Sequence, residues 1–214
     1  MVPAEVVIPF EGFELPGELS IPPGGWGTVL FAHGSGSSRR SPRNQFVART
    51  FREHGIGTVL FDLLTEAEEE QEQFTGHLRF DIDLLAQRLI GATRWFRQEN
   101  PGAPIGYFGS STGGGAALVA EAQSDIPIHA IVSRGGRPDL AGPALSKVKA
   151  PTLLIVGGED TAVIQMNRQA FEKLTCPKEL RLVPGATHLF EEAGALEQVA
   201  EMAAGWVELH FKAP

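Results

Sequence analysis

Apolar residues in this chain fall into two kinds of run. Short continuous runs occupy 28–33 (TVLFAH), 58–61, 104–108, 128–133, 152–156 and 180–183, as expected of strands buried on both faces. Three- and four-residue spacing marks amphipathic helices between them. One carries Phe46, Val47, Thr50 and Phe51, opened by Ser41-Pro42 and running to about Glu53. A long one carries Leu78, Ile82, Leu85, Leu89, Ala92 and Phe96 and ends at Asn100-Pro101-Gly102. Further helices are predicted over 114–121 and 162–174, and a last one packs Leu196, Val199, Ala203 and Trp206 on one side. At the N-terminus, 4–10 and 13–21 are β-rich runs parted by Glu11-Gly12, a hairpin signal. Strands alternating with helices predict an α/β fold. Its mostly parallel central sheet has about eight strands, an antiparallel N-terminal hairpin and helices on both faces. No repeat or linker interrupts the pattern, so 1–214 is expected to form one domain.

Residues 63–77 stand apart. Thr65 with Glu68 fits a capping box, and five glutamates crowd the stretch. Such a charge run reads either as a solvated surface helix or as a mobile flap over a pocket.

Composition narrows the function classes. A net charge of −8 argues against nucleic acid and anionic membrane surfaces as partners. The single cysteine, Cys176, forbids an internal disulfide and fits a reducing compartment. It lies remote from the strand-end loops and reads as a structural or incidental thiol. No basic-then-apolar leader and no bilayer-length apolar run is seen, so a cytoplasmic protein is expected.

Candidate chemistry centres on Gly109-Ser110-Ser111-Thr112-Gly113, a G-x-S-x-G sequence between a predicted strand and a predicted helix. A serine on such a turn needs neighbours without Cβ, and the helix N-terminus behind it offers free N–H groups to a developing oxyanion. The register selects Ser111, not Ser110, as nucleophile. In a parallel sheet, functional residues gather at the carboxyl ends of strands, where Ser35, Asp62, Ser111, Arg134, Asp160 and His188 fall. A nucleophilic serine needs a base, and the base needs a carboxylate to fix its tautomer. Ser111, Asp160 and His188 supply them in the chain order Ser…Asp…His. Glu159 is the alternative acid and His33 the rival base, although His-Gly before a loop also suits a structural hydrogen bond. Asp160 could equally serve to cap the next helix.

The oxyanion is expected to meet the N–H groups of Thr112 and Ser35. Gly34 and Arg134 are candidates for substrate binding. Arg134 and Arg137 read either as surface charges paired with the acidic segment or as anchors for a substrate carboxylate. Only a short connection joins Arg134 to Pro151, leaving no room for a large cap over the site.

The segments HGSGSSRRSPRN, HLRFDI, FGSSTGGGAAL, SRGGRPDLAG, TLLIVGGED and VPGATHLFEE carry a resemblance that spans nearly the whole chain. It resembles an α/β-hydrolase of the dienelactone hydrolase-like superfamily, most closely the small serine hydrolases related to domains fused to phosphoribosyltransferases. The resemblance implies the α/β-hydrolase fold, the triad Ser111, Asp160 and His188, no metal and no cofactor. Dienelactone hydrolases themselves use a cysteine where Ser111 stands, so lactone activity does not carry over. No phosphoribosyltransferase module is expected within the 214 residues. The expected activity is hydrolysis of small or short-acyl carboxylic esters through an acyl-enzyme. A non-catalytic binding protein of the same fold, or an acyltransferase or thioesterase using the same triad, is the alternative.

Overall fold

In the computed structural model, which describes residues 3–212, the continuous apolar runs pair into one eight-stranded sheet. In chain order these are β1 (Ala4–Phe10), β2 (Phe13–Ser20), β3 (Thr28–Ala32), β4 (Gly57–Phe61), β5 (Ile105–Ser110), β6 (Ala130–Arg134), β7 (Thr152–Gly157) and β8 (Lys178–Val183). They lie side by side as β1-β2-β4-β3-β5-β6-β7-β8. The hairpin β1–β2 and the β2–β4 pair are antiparallel, and every other pairing is parallel. All residues of β3 to β7 are buried, which is why these strands read as unbroken apolar runs.

Alternation along each strand divides the core in two. Leu30, Val59, Phe61, Tyr107, Ile131 and Leu154 point to one face, where α3 (Ile82–Glu99), α4 (Thr112–Gln123) and Ala170 of α5 (Thr161–Lys173) cover them. Val29, Phe31, Leu60, Phe108, Val132 and Ile155 point to the other, under α1 (Pro42–Glu53) and α6 (Ala195–Phe211). There Phe31, Phe51 and Phe108 pack ring on ring, with centroids 4.9 to 6.0 Å apart. On the first face, the buried Thr93 hydroxyl joins the Tyr107 hydroxyl at 2.8 Å.

Two expectations change. The long helix does not begin at Leu78. Leu78–Phe80 forms a separate 3-10 turn, and Asp81 starts α3 by accepting from the Leu84 N–H at 3.0 Å. Leu78 still packs against the core, so its spacing matched the helix while a side-chain cap set the real boundary.

The acidic stretch forms α2 (Glu66–Thr75), opened by the expected capping box of Thr65 with Glu68. It is not a uniformly solvated face. The Glu72 carboxylate is buried and accepts from the N–H groups of His77, Leu78 and Arg79 and from Arg79 Nε. Burial pushes its pKa up, but these bonds outweigh it and hold the group at about 2. Glu68 pairs with Arg88 at 2.7 Å, and the Arg88 guanidinium lies over the Phe13 ring. The connection after β6 is a 3-10 stretch, Pro138–Lys147, interrupted at Gly142-Pro143, and no cap domain is inserted there.

Candidate active site

Ser111 follows the last residue of β5 and precedes α4, at φ 51° and ψ −121°. A non-glycine residue at this φ is strained, by about 1–3 kcal/mol. Backbone bonds hold it there. The Ser111 N–H donates to the Arg134 carbonyl at 3.3 Å, and the Ser111 carbonyl accepts from Gly114 and Arg137, both at 3.0 Å. Ser110 is the buried last residue of the strand, and Ser111 is the residue at the turn that lines the cavity. Close approach explains Gly34: a methyl there would lie 2.9 Å from Ser111 Cβ and 3.0 Å from the Ser110 carbonyl oxygen.

His188 follows β8, and its Nδ1 meets Asp160 Oδ2 at 2.7 Å. This is a charge-assisted distance, and it directs Nε2 away from the acid. Asp160 stands at the N-cap position of α5 yet makes no side-chain capping bond, so its carboxylate serves the histidine. Glu159 is exposed. His33, the rival base, has both nitrogens occupied: Nδ1 lies 3.0 Å from the Gly34 carbonyl, and Nε2 accepts from the Leu63 N–H at 3.0 Å. Burial lowers its pKa, so the ring is a neutral tie between the loops after β3 and β4.

Ser111 and His188 line one open cavity of about 1010 Å³, together with Gly34, Ser35, Asp62 and Arg134. No hydrogen bond joins Ser111 Oγ to His188 among the described residues; such contacts commonly tighten only when substrate arrives. The Ser35 N–H donates to Thr112 Oγ1 at 3.1 Å, tying the loop after β3 to the start of α4. Asp62 is taken up by Arg39, whose backbone N–H and guanidinium both bind it.

Neither Arg134 nor Arg137 pairs with the acidic segment. Arg137 forms a two-point bond with Asp139, at 2.9 and 2.8 Å. Arg134 is the last residue of β6 and buried, and its guanidinium makes no hydrogen bond or ion pair among the described residues. Two residues that sequence reasoning passed over also shape the site. Phe190, at φ 56°, is buried and places its ring 5.9 Å from the Arg134 guanidinium. Asn167 of α5 donates to the Gly136 carbonyl at 3.0 Å and so fixes the loop after β6. Phe190 lies within the VPGATHLFEE segment and Asn167 within the helix predicted over 162–174, but nothing local marks either as reaching the site.

No family model matches the chain. Among solved structures, it is similar to a dienelactone hydrolase from Anabaena variabilis at 54% identity and a TM-score of 0.94, over 98% of this chain and 99% of that one. Est1E from Butyrivibrio proteoclasticus, at 16% identity and TM-score 0.80 over 98% and 99% of the two chains, shares the fold. So does an α/β serine hydrolase without lid from Xanthomonas campestris, at 20% identity and TM-score 0.78 over 100% and 97%. A Mycobacterium tuberculosis protein with the provisional name phosphoribosyl transferase is 52% identical over 200 residues, which make up 92% of this chain and 44% of that protein. The chain thus spans less than half the length of the curated relatives it matches.

Proposed function

Because this chain belongs to the dienelactone hydrolase-like family of α/β-hydrolases, we propose that it is a serine hydrolase that cleaves small or short-acyl carboxylic esters. The observation that carries this reading is the Asp160–His188 pair at 2.7 Å, opening on the same cavity as a serine held at positive φ. His188 Nε2 takes the proton of Ser111 Oγ as that oxygen attacks the ester carbonyl. Asp160 keeps the ring in the tautomer that can accept it and stabilises the imidazolium that results. The tetrahedral oxyanion rests on the N–H groups of Thr112 and Ser35. For this the Ser35 N–H exchanges its present acceptor, Thr112 Oγ1, for the oxyanion. The imidazolium then protonates the departing alkoxide, leaving an acyl-serine and the alcohol. Water, deprotonated by His188, adds to the acyl carbonyl, and collapse returns Ser111 and the free acid.

The His188 side chain is 40% exposed, and among the described residues no cap domain follows β6, which favours small esters that need little enclosure. The test is pre-steady-state hydrolysis of 4-nitrophenyl butyrate. The wild-type protein should release a burst of nitrophenol equal to its site concentration, and Ser111→Ala should show none. Unchanged turnover in Ser111→Ala would remove the nucleophile assignment. An intact protein that resists a serine-directed fluorophosphonate would speak for a binding role instead.

A further inference from the structure

An open sheet ends in two edge strands, and an edge without a guard is a template for one more strand. Here the edges are β1 and β8. β1 carries Pro9, a residue that natural edges use to refuse a further strand. β8 has neither a proline nor a break in its register with β7. Its lysine, the usual edge guard, is diverted: Lys178 Nζ donates to the Phe171 and Leu174 carbonyls at the end of α5. Glu179 and Arg181 neutralise each other, with Arg181 Nε donating to Glu179 Oε2 at 2.8 Å. Arg181 and Leu182 are exposed.

The main chain fixes which residues of β8 face outward. The Thr152 N–H donates to the Pro177 carbonyl at 2.9 Å, and the Gly158 N–H donates to the Val183 carbonyl at 2.8 Å. Alternate residues of a parallel ladder turn toward their neighbour, so Pro177, Glu179, Arg181 and Val183 face β7. Lys178, Leu180 and Leu182 therefore aim their N–H and C=O groups away from the sheet, where no described strand meets them. Side chains alternate as well. Leu180 packs on the face under α5 and Val183 on the face under α6, which places Glu179 and Arg181 together on the α6 face.

We propose that β8 pairs antiparallel with β8 of a second copy of this chain, about a two-fold axis at Leu180. Only registers that set outward residues opposite outward residues can form main-chain bonds. Centring on Glu179 would set glutamate against glutamate, and centring on Arg181 would set arginine against arginine. Centring on Leu180 places Glu179 opposite Arg181 of the second copy, and Arg181 opposite its Glu179, in pairs whose Cα atoms come within about 4.5 Å. Lys178, Leu180 and Leu182 then exchange paired main-chain bonds with Leu182, Leu180 and Lys178 of the second copy. The contact is self-complementary and closed, and it joins two sheets into one. It stands apart from the hydrolase reading, since no residue of β8 lines the Ser111 cavity.

The experiment is sedimentation equilibrium of the purified chain from about 1 to 200 µM, which suits a contact at the small end of specific interfaces. Wild-type protein should form a concentration-dependent dimer. Glu179→Arg and Arg181→Glu each set like charges across the axis and should raise the dissociation constant by about 10-fold or more. An equimolar mixture of the two variants should associate as wild type does, because each chain then meets the opposite charge. The double variant E179R/R181E should do the same. Breaking the exposed pair within one chain costs the fold little, so all of these proteins should be folded. Leu182→Pro removes one outward N–H, leaves the ladder to β7 intact and should also weaken the dimer. A wild type that stays monomeric throughout would overturn the proposal. So would a dimer indifferent to both single charge variants, or single variants that associate no better when mixed.

Discussion

Gly113→Ala tests how the site is assembled, because the obstacle a methyl would meet is backbone on every side. Gly113 is the second residue of α4 and packs against the end of β3. A Cβ there would overlap the Ala32 carbonyl oxygen outright, and it would come within 2.7 Å of the Ala32 carbonyl carbon and of the His33 carbonyl oxygen. Such neighbours are comfortable at about 3.5 Å, so relieving the overlap with the Ala32 oxygen requires one segment to retreat by about 1.5 Å. Ala32 is paired with Gly109 in the sheet, and His33 is fastened at both ring nitrogens. Neither can yield cheaply. Overpacking of this kind costs about 1–3 kcal/mol and occasionally more, and the upper end is expected here. The same shift moves Ser35 relative to Ser111, and a displacement of ~1 Å at reacting groups is worth about 100-fold in rate. Urea unfolding and kcat/KM on 4-nitrophenyl butyrate measure the two losses. Gly205→Ala is the matched control: its Cβ meets nothing within 4 Å in the exposed face of α6, so it should stabilise by about 0.5–1 kcal/mol. A Gly113→Ala protein with wild-type unfolding midpoint and rate would refute the reasoning.

Two further substitutions separate charge from shape. Asp160→Asn keeps the contact to His188 but removes the charge proposed to stabilise the imidazolium and fix the tautomer; kcat should fall by roughly 1,000-fold, and a loss smaller than tenfold would take Asp160 out of the mechanism. Glu72→Gln should loosen 66–80, read as faster limited proteolysis of that stretch. Since the folded Glu72 carboxyl is held at about 2, below its ordinary 4.5, the stability it contributes is complete above about pH 4.5 and is lost as pH falls toward 2. Hydrogen exchange across 66–80 should show that loss in the wild type and not in Glu72→Gln.

The parts of this fold that are legible in the sequence are those with a one-dimensional signature. Burial on both faces writes β3 to β7 as apolar runs, and the Gly-Ser-Ser-Thr-Gly turn follows one of them, so the positions of Ser111, Asp160 and His188 follow from counting strand ends. What escapes is decided by partners distant in sequence or by backbone angles. Glu72 is one of five glutamates in its stretch, and nothing local distinguishes it as the one that turns inward to cap the 3-10 turn. The start of α3 moved to Asp81 because a side-chain bond outweighed a hydrophobic spacing that continued through Leu78. The solitude of Arg134 is a property of its surroundings, and a sequence shows only that several acidic residues exist somewhere in the chain.

Arg134 also meets the nucleophile by a second route, through its main chain. Its carbonyl accepts the Ser111 N–H, and three residues on the Arg137 N–H donates to the Ser111 carbonyl, so the loop after β6 grips the strained serine from both ends. Between them, Gly135 has φ 50°, and a Cβ there would lie 3.2 Å from the His188 carbonyl oxygen and 3.3 Å from the Phe190 ring. The end of β6 and the short loop after it therefore carry a buried guanidinium on the cavity wall, the clamp on Ser111 and a wall of the histidine loop. Side-chain and backbone changes there should not behave alike. Arg134→Met leaves both clamping bonds in place, so kcat on 4-nitrophenyl butyrate should stay within about tenfold of wild type. Gly135→Ala strains the backbone itself, so its loss should be the larger and fall on kcat more than KM. A Gly135→Ala protein with wild-type kcat would contradict this division of labour.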